Sequence, residues 1–247
     1  MPKIKDVDDL SADTFFNGRI RINQNRSGYR YSIDAVLLAT YSRVKSDDTI
    51  IDLGTGCGII PIMLAYHHPG VKIYGIEIQK ELADLALRNV EENRMADQIH
   101  IRCGDMKDLI PQTVPERADL VISNPPYRKV GSGRMNPNRQ RAAARHEISV
   151  TLAEIVETAR RMLEKSGRFV MIYPAERIAD VISSLRKASI EPKFLQTVHS
   201  YADTAAKLIL VEGVRGGGPG MKIFPPLIIY KKDGQYTDAV QKMFEPR

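Results

Sequence analysis

The stretch Asp52-Leu-Gly54-Thr-Gly56-Cys-Gly58 decides the fold of this 247-residue chain. It overlaps the end of Thr49-Ile-Ile-Asp-Leu53, an apolar run typical of a strand buried on both faces. The apolar segment from Ile59 to His67 follows and predicts a helix. Glycines let the backbone turn sharply and approach a ligand without interference from a Cβ atom. A strand, a glycine turn and a helix in this order therefore predict a binding loop at the carboxyl end of the strand.

Strand and helix patterns alternate through most of the chain. Further strands are predicted at 71–78, 98–103, 118–123, 168–173 and 193–198, and further helices at 33–44, 81–93, 151–163 and 175–187. This alternation predicts a doubly wound α/β fold, with a mostly parallel, seven-stranded sheet and helices on both faces. Two extended runs at 207–214 and 222–230, separated by Arg215-Gly-Gly-Gly-Pro-Gly220, predict an antiparallel C-terminal hairpin.

The chain is expected to divide into two parts. Residues 49–247 carry the strand–helix alternation and form the main domain. Residues 1–48 form an N-terminal extension with a basic loop and a helix, for which Ser32 and Asp34 are the candidate N-caps.

Composition limits the class of protein. The two cysteines make no disulfide framework, which favours a reducing, cytoplasmic compartment. The longest apolar run, Ile59 to Tyr66, is too short to span a bilayer, so no membrane association is expected. The five histidines are scattered apart from one adjacent pair, and no metal site is expected. The net charge of +6 suits a polyanionic partner without requiring one.

Acidic residues stand at the ends of the next two predicted strands. Glu77 comes 19 residues after Gly58, and a carboxylate there can accept hydrogen bonds from both hydroxyls of a ribose. Asp105 follows the third strand in Cys103-Gly-Asp105. Each feature alone could be a simple turn, a helix cap or a solvated acid. Their succession at three strand ends favours a nucleotide-type cofactor site.

The glycine spacing distinguishes between two classes of cofactor. A dinucleotide fingerprint requires its third glycine at position 59, where this chain has isoleucine. The pattern resembles instead motif I of class I S-adenosylmethionine methyltransferases, which have a Rossmann-like methyltransferase fold. The resemblance implies that S-adenosylmethionine is bound, and S-adenosylhomocysteine released, by Asp52, Gly54, Gly56, Gly58, Glu77, Asp105 and Asn124, with Asp105 accepting from the adenine amino group.

The most specific signal is Asn124-Pro-Pro-Tyr127 at the end of the fourth strand. An exocyclic amine on an aromatic ring is a poor nucleophile because its lone pair is delocalised. Two acceptors aimed at its N–H bonds would favour a tetrahedral nitrogen and stabilise the developing positive charge. The Asn124 side-chain oxygen and the Pro125 carbonyl can be those acceptors, and Pro125 and Pro126 stiffen the backbone. Tyr127 offers a flat face for a target base.

These four residues match the N-P-P-Y motif of amino-group methyltransferases. That group includes adenine-N6 enzymes acting on DNA or RNA, guanine-N2 rRNA enzymes and the glutamine methyltransferases of release factors. The resemblance implies catalysis by Asn124, Pro125, Pro126 and Tyr127 on a nitrogen conjugated to a π system. The motif does not separate these substrates.

Two basic segments without an acid favour RNA as the substrate. Residues 128–145 contain six basic residues and residues 17–31 contain four. Such segments near the chemical motif indicate phosphate contacts, although solvated loops would have the same composition. The candidate RNA-binding residues are Arg19, Arg21, Arg26, Arg30, Arg128, Lys129, Arg134, Arg139, Arg141 and Arg145.

Flanking segments narrow the resemblance. The segments Tyr31-Ser-Ile-Asp34-Ala-Val-Leu-Leu-Ala39, Ala144-Arg-His-Glu147 and Val211-Glu-Gly-Val-Arg-Gly-Gly217 resemble the bacterial tRNA1(Val) adenine-37 N6-methyltransferase family. The resemblance implies methylation of adenine N6 in a tRNA anticodon loop. It also implies that Tyr31 and Asp34 lie near the cofactor.

Three alternatives remain open. A guanine-N2 rRNA methyltransferase would share the motif, because guanine also presents an aromatic amine. A protein glutamine-N5 methyltransferase would need room for an extra N-terminal helical domain, and only 48 residues precede the first strong strand. A non-catalytic RNA-binding module that retains S-adenosylmethionine is the third. The expected partner is tRNA or another structured RNA. The oligomeric state is not predicted, since both a monomer and a dimer fit the sequence.

Overall fold

A computed structural model describes residues 10–26, 31–114, 117–126 and 150–246. The helices are α1 (Ile33–Tyr41), α2 (Ile59–His67), α3 (Lys80–Glu92), α4 (Leu152–Met162), α5 (Ile178–Lys187) and α6 (Asp238–Gln241). The strands are β1 (Leu10–Phe15), β2 (Ile20–Asn25), β3 (Thr49–Leu53), β4 (Lys72–Glu77), β5 (Ile99–Cys103), β6 (Ala118–Ser123), β7 (Leu163–Pro174), β8 (Ile190–His199), β9 (Ala206–Arg215), β10 (Lys222–Ile223) and β11 (Leu227–Ile228).

One large sheet organises the molecule. Its strands follow the order β5, β4, β3, β6, β7, β9, β8, and the first five of these run parallel. The two short strands β10 and β11 both pair with β8, so the sheet has nine strands within the described residues, where seven were expected. The predicted doubly wound, mostly parallel α/β fold is confirmed. The two extra strands have only two residues each, too few to show a strand pattern in the sequence.

The predicted C-terminal hairpin, in which residues 207–214 pair with residues 222–230, is wrong. Strand β9 pairs antiparallel with β7 on one side and with β8 on the other, so both of its edges are occupied. The segment after Arg215–Gly220 therefore cannot pair with β9, because a strand has only two edges. It runs instead along the outer edge of β8, parallel to it. The antiparallel hairpin is the one between β8 and β9.

The two faces of the sheet carry separate hydrophobic cores. Ile50 and Ile51 of β3 are both fully buried but belong to different cores, because successive side chains in a strand point to opposite faces. Residues of α1, α2 and α3 complete the first core. Residues of α4 and α5 complete the second. Helices thus cover both faces, as the sequence predicted.

The N-terminal segment forms a hairpin, which the sequence analysis missed. Strands β1 and β2 pair antiparallel, and Ile20 and Ile22 are fully buried in the first core, while Arg19 and Arg21 are exposed. The expectation of a basic loop in residues 17–31 is therefore wrong for the part that forms β2. The alternation of arginine and isoleucine in residues 19–22 is the strand signal that the count of basic residues concealed.

Helix α1 begins where it was predicted. The Ser32 side chain accepts a hydrogen bond from the Asp34 N–H and so caps the helix, which ends at Tyr41 and not at Val44. Within the ranges described above, every helix is too short or too polar to cross a bilayer.

Candidate active site

The register of the sheet aligns the predicted site residues along one edge. Leu53 of β3 lies opposite Ile76 of β4 and opposite Ser123 of β6. Glu77 at the end of β4 lies opposite Cys103 of β5. The segments that follow these four strands therefore begin side by side at the carboxyl edge of the sheet, where doubly wound folds bind their ligands.

The glycine loop that follows β3 (residues 54–58) is held in an unusual backbone conformation. Gly54, Gly56 and Gly58 all have left-handed φ angles, of 80°, 59° and 84°. The N–H groups of Gly54 and Thr55 both donate to the Ile76 carbonyl, at 2.9 and 3.0 Å. A Cβ atom at Gly58 would lie 3.2 Å from that of Ala86 in α3. Glycine is thus required both by the dihedral angles and by the close approach of α3.

Glu77 braces this loop from the neighbouring strand. One of its carboxylate oxygens accepts from the Gly56 N–H at 3.0 Å, and the other accepts from the Gln79 N–H at 2.9 Å. The side chain is nearly buried, and each carboxylate oxygen can accept more than one hydrogen bond. The residue can therefore hold the loop and still accept from a ligand.

Asp52 is a fully buried acid beside the loop. Among the described residues, neither of its carboxylate oxygens has a hydrogen-bond partner, and the Thr55 hydroxyl also lacks one. The pKa of Asp52 is raised to about 7, mainly because the side chain is buried; the neighbouring Thr55 hydroxyl acts to lower this pKa, and the negative charge of Glu77 acts to raise it. A buried acid without a cationic partner costs free energy, so a positive charge that a ligand brought close to Asp52 would stabilise its charged form.

Asp105 stands at the next strand end and caps a short turn. Its Oδ1 accepts from the Lys107 N–H at 2.9 Å, and the Lys107 ammonium lies 3.4 Å from Oδ2. The side chain is about a quarter exposed. It was predicted to accept from the adenine amino group, and it has remaining acceptor capacity for that role.

The chemical motif begins directly after β6. The Ser123 hydroxyl is fully buried and donates to the Leu53 carbonyl at 3.0 Å, which ties the end of β6 to the start of the glycine loop. Asn124 is half-buried, Pro125 is buried and Pro126 is exposed. Tyr127 lies outside the described residues.

Tyr31 and Asp34 lie at the start of α1. The Tyr31 hydroxyl donates to the Asp13 carboxylate of β1, and its ring packs against Phe15 at a centroid distance of 5.9 Å. Tyr31 lines a cleft of about 270 Å³ between the N-terminal hairpin and the C-terminal segment around Phe244. Burial raises the pKa of Asp34.

The candidate RNA-binding arginines are only partly within the described ranges. Arg19, Arg21 and Arg26 are exposed on the N-terminal hairpin. Arg19 donates to the Tyr66 hydroxyl at 3.1 Å, and Arg26 donates to the Leu10 carbonyl at 2.9 Å. The other candidates lie outside the described residues: Arg30, Arg128, Lys129, Arg134, Arg139, Arg141 and Arg145.

Comparison with known proteins decides the class of this site. The family model described as the methyltransferase small domain matches residues 32–188, which include every strand end discussed above. The chain belongs to this family. The predicted enzyme class, a methyltransferase, is thereby confirmed.

A named relative agrees with this class, and a solved structure shares the fold. A tRNA1(Val) (adenine(37)-N6)-methyltransferase of Porphyromonas gingivalis is 30% identical, over 96% of this chain and 95% of the relative. A solved structure of a predicted O-methyltransferase from Agrobacterium tumefaciens has a TM-score of 0.68 and 21% identity, covering 85% of this chain and 94% of that one.

A second solved structure contains a product of the predicted methyl donor. It is a geranyl diphosphate C-methyltransferase from Streptomyces coelicolor in complex with S-adenosyl-L-homocysteine. Its TM-score is 0.52 at 16% identity, and the match covers 73% of this chain and 74% of that one. At this identity the likeness supports the fold alone.

Three asparagines that attach the N-terminal hairpin of this methyltransferase to α3 were not predicted from the sequence. Asn23 of β2 and Asn89 of α3 are buried, and Asn93 follows α3 as its C-cap. The sequence of α3 contains a pattern that could have predicted two of them. Asn89 and Asn93 share the face on which Leu82, Leu85 and Ala86 are buried, and a polar residue on an apolar face indicates a specific hydrogen-bond partner.

Proposed function

We propose that this methyltransferase transfers the methyl group of S-adenosylmethionine to N6 of adenine 37 in the anticodon loop of a tRNA. One observation carries the proposal: Leu53, Ile76 and Ser123 lie side by side in the sheet. A donor held by the glycine loop and an amine held by the motif after Ser123 would therefore be neighbours, as direct methyl transfer requires.

The donor side of the site fits S-adenosylmethionine. The glycine loop presents backbone without side chains at Gly54 and Gly56, and Glu77 has acceptor capacity for ribose hydroxyls. The two unpartnered oxygens of Asp52 favour a cationic ligand nearby, and this donor carries a sulfonium and an ammonium group. When bound, it supplies an electrophilic methyl group.

The acceptor side is assigned to Asn124 and Pro125. The Asn124 side-chain oxygen and the Pro125 carbonyl would each accept a hydrogen bond from one N–H of the target amine. These acceptors stabilise the positive charge that grows on nitrogen during transfer. Pro126 keeps the backbone stiff, and Tyr127 would stack on the target base.

The choice of tRNA is supported by two independent observations. The Porphyromonas gingivalis relative, which matches nearly the whole chain, is named for adenine 37 of tRNA1(Val). Three exposed arginines lie on the N-terminal hairpin, which packs on α2 and α3. An anticodon loop is single-stranded, so presenting its base to the site requires little unpairing energy.

The experiment is a labelling assay with mass spectrometry. The protein is incubated with labelled S-adenosylmethionine and total bacterial tRNA, and the labelled nucleoside and its position are identified. We expect N6-methyladenosine at position 37 of a valine tRNA. Parallel reactions with rRNA and with release factors test the alternatives. Methylated guanine or glutamine with unmodified tRNA would overturn the substrate, and no transfer to any of them would overturn the activity.

A further inference from the structure

A buried amide network joins the N-terminal hairpin, α3 and the glycine loop. Asn89 has no exposed surface, and its side chain makes four hydrogen bonds. Its Oδ1 accepts from the main-chain and side-chain nitrogens of Asn23, at 2.9 and 3.1 Å. Its Nδ2 donates to the main-chain oxygens of Asn23 and Cys57, at 2.9 Å each. An asparagine amide has two donors and two acceptor positions, so all of its capacity is used.

Asn89 and Asn93 attach the hairpin in the same way. Each side chain both accepts from the N–H and donates to the C=O of one β2 residue, as a neighbouring strand would. Asn93 does so to Arg21, at 3.0 and 2.7 Å. Residues four apart on a helix share a face, and residues two apart on a strand share an edge, so the two amides together clamp the edge of β2.

The third contact distinguishes the two asparagines. Asn89 donates to the carbonyl of Cys57, which stands between Gly56 and Gly58. Asn93 donates instead to the main-chain oxygen of Asn89, within its own helix. Asn89 therefore connects hairpin and glycine loop, while Asn93 serves the hairpin alone.

The glycine loop depends on such outside contacts. Gly56 and Gly58 flank Cys57 with left-handed φ angles, and glycine has little intrinsic preference for one backbone conformation. Glu77 holds the Gly56 N–H from the side of the sheet, and Asn89 holds the Cys57 carbonyl from the side of α3. These two contacts fix the peptide groups that a donor molecule would meet.

We propose that Asn89 is a positioning residue, which keeps the glycine loop in the conformation that binds the methyl donor and transmits the position of the hairpin to that loop. The proposal rests on the proposed function in one respect, since it takes the glycine loop as the site of S-adenosylmethionine. Losing Asn89 should then weaken donor binding more than losing an equivalent attachment of the hairpin.

The test compares Asn89→Ala with its matched control Asn93→Ala. Both variants lose two hydrogen bonds to the β2 main chain, and both should have a lower melting temperature. We expect Asn89→Ala to bind S-adenosylhomocysteine about tenfold more weakly in calorimetry, because the Cys57 carbonyl loses its donor. Asn93→Ala should stay within about twofold of the parent protein. In turnover, Asn89→Ala should raise the KM for S-adenosylmethionine more than it lowers kcat. Equal affinities of the two variants would overturn the proposal.

A second pair of variants guards against a folding failure of Asn89→Ala. Asn89→Leu and Asn93→Leu each remove the amide donor with little change in side-chain volume and without burying a charge, and the same ranking of affinities is expected. Binding of S-adenosylhomocysteine to the parent protein distinguishes a failure of the proposed function from a failure of the role proposed for Asn89. If it fails to bind S-adenosylhomocysteine, the proposed function fails. If it binds while the paired variants do not differ, only the role of Asn89 fails.

Discussion

Two buried aspartates at the two ends of strand β3 have opposite environments. Asp48, just before the strand, accepts from the Lys45 N–H at 2.9 Å and forms an ion pair with Arg168 of β7. Asp52, near the other end, has no hydrogen-bond partner for either oxygen among the described residues. Both are nearly or fully buried, so their difference does not come from exposure to water.

The difference separates stability from function. Buried charges that serve the fold are paired, because an unpaired one costs several kcal/mol. At the amino end of β3 the Thr49 N–H also donates to Asp119 of β6, so the acids there have partners. At the carboxyl end the fold tolerates an unsatisfied acid beside a glycine loop. We expect changes at the carboxyl end to alter activity or to relieve the cost of the buried acid, and changes at the amino end to reduce stability.

The largest effect is expected for Asn124→Ala at the carboxyl end. Removing one preorganised acceptor from the target amine should lower kcat by about a hundredfold or more. The melting temperature should change little, because Asn124 follows β6 and is not part of either core. The affinity for S-adenosylhomocysteine should fall much less than kcat, because several other residues also hold the donor. Steady-state kinetics with tRNA and calorimetry measure the two quantities. Unchanged turnover would remove Asn124 from the chemistry.

At the amino end, Arg168→Met should leave the Asp48 carboxylate buried without its ion-pair partner. The expected loss is about 3 kcal/mol of unfolding free energy, measured by urea denaturation. Lys80→Met is the control, since the Lys80–Asp84 pair is mostly exposed and its loss should change the unfolding free energy very little. If both variants lost the same free energy of unfolding, burial would not increase the contribution of the Asp48–Arg168 ion pair to stability.

Asp52→Asn should change how stability depends on pH. The pKa of Asp52 is about 7 in the folded state and near 4 in the unfolded chain. Between these values the folded state binds more protons, so stability falls as pH rises from 4 to 7. The parent protein should lose on the order of 2 kcal/mol more than Asp52→Asn between pH 5 and pH 8. Identical pH profiles in urea denaturation would show that Asp52 is not an unpaired buried acid.

The smallest effect is expected for Glu77→Gln. The amide keeps the shape of the side chain but leaves the Gly56 or Gln79 N–H without its acceptor and removes the charge. Affinity for S-adenosylmethionine should fall by about tenfold, because hydrogen bonds to charged groups contribute about 1.5–3 kcal/mol. Calorimetry checks this. An unchanged dissociation constant would place the ribose away from Glu77.

Sequence patterns were informative where the local signal was strong. The helix at Ile59–His67 and the strand at Ala118–Ser123 have the predicted bounds, because uniform apolar runs next to glycine or proline leave few alternatives. The alignment of Glu77, Asp105 and Asn124 behind neighbouring strands followed from the general rule for doubly wound sheets.

Contacts between distant segments were not predictable in the same way. Nothing near Lys222 indicates that its partner is β8 and not β9, since that choice depends on which strand edge is still free. The hydrogen bonds of Asn89 to Asn23 and Cys57 join residues 66 and 32 positions away. The isolation of Asp52 could not be foreseen either, because it depends on the neighbours that folding brings together.

The insertion of β9 between β7 and β8 restricts the order in which the molecule can assemble. During synthesis β8 emerges before β9, yet the free edge of β7 accepts only β9. A nascent chain that ended at residue 199 would therefore carry β8 with no place in the sheet. In the native strand order β8 can join the main sheet only through β9, so the second half of the sheet cannot close before the residues up to Arg215 have been synthesised.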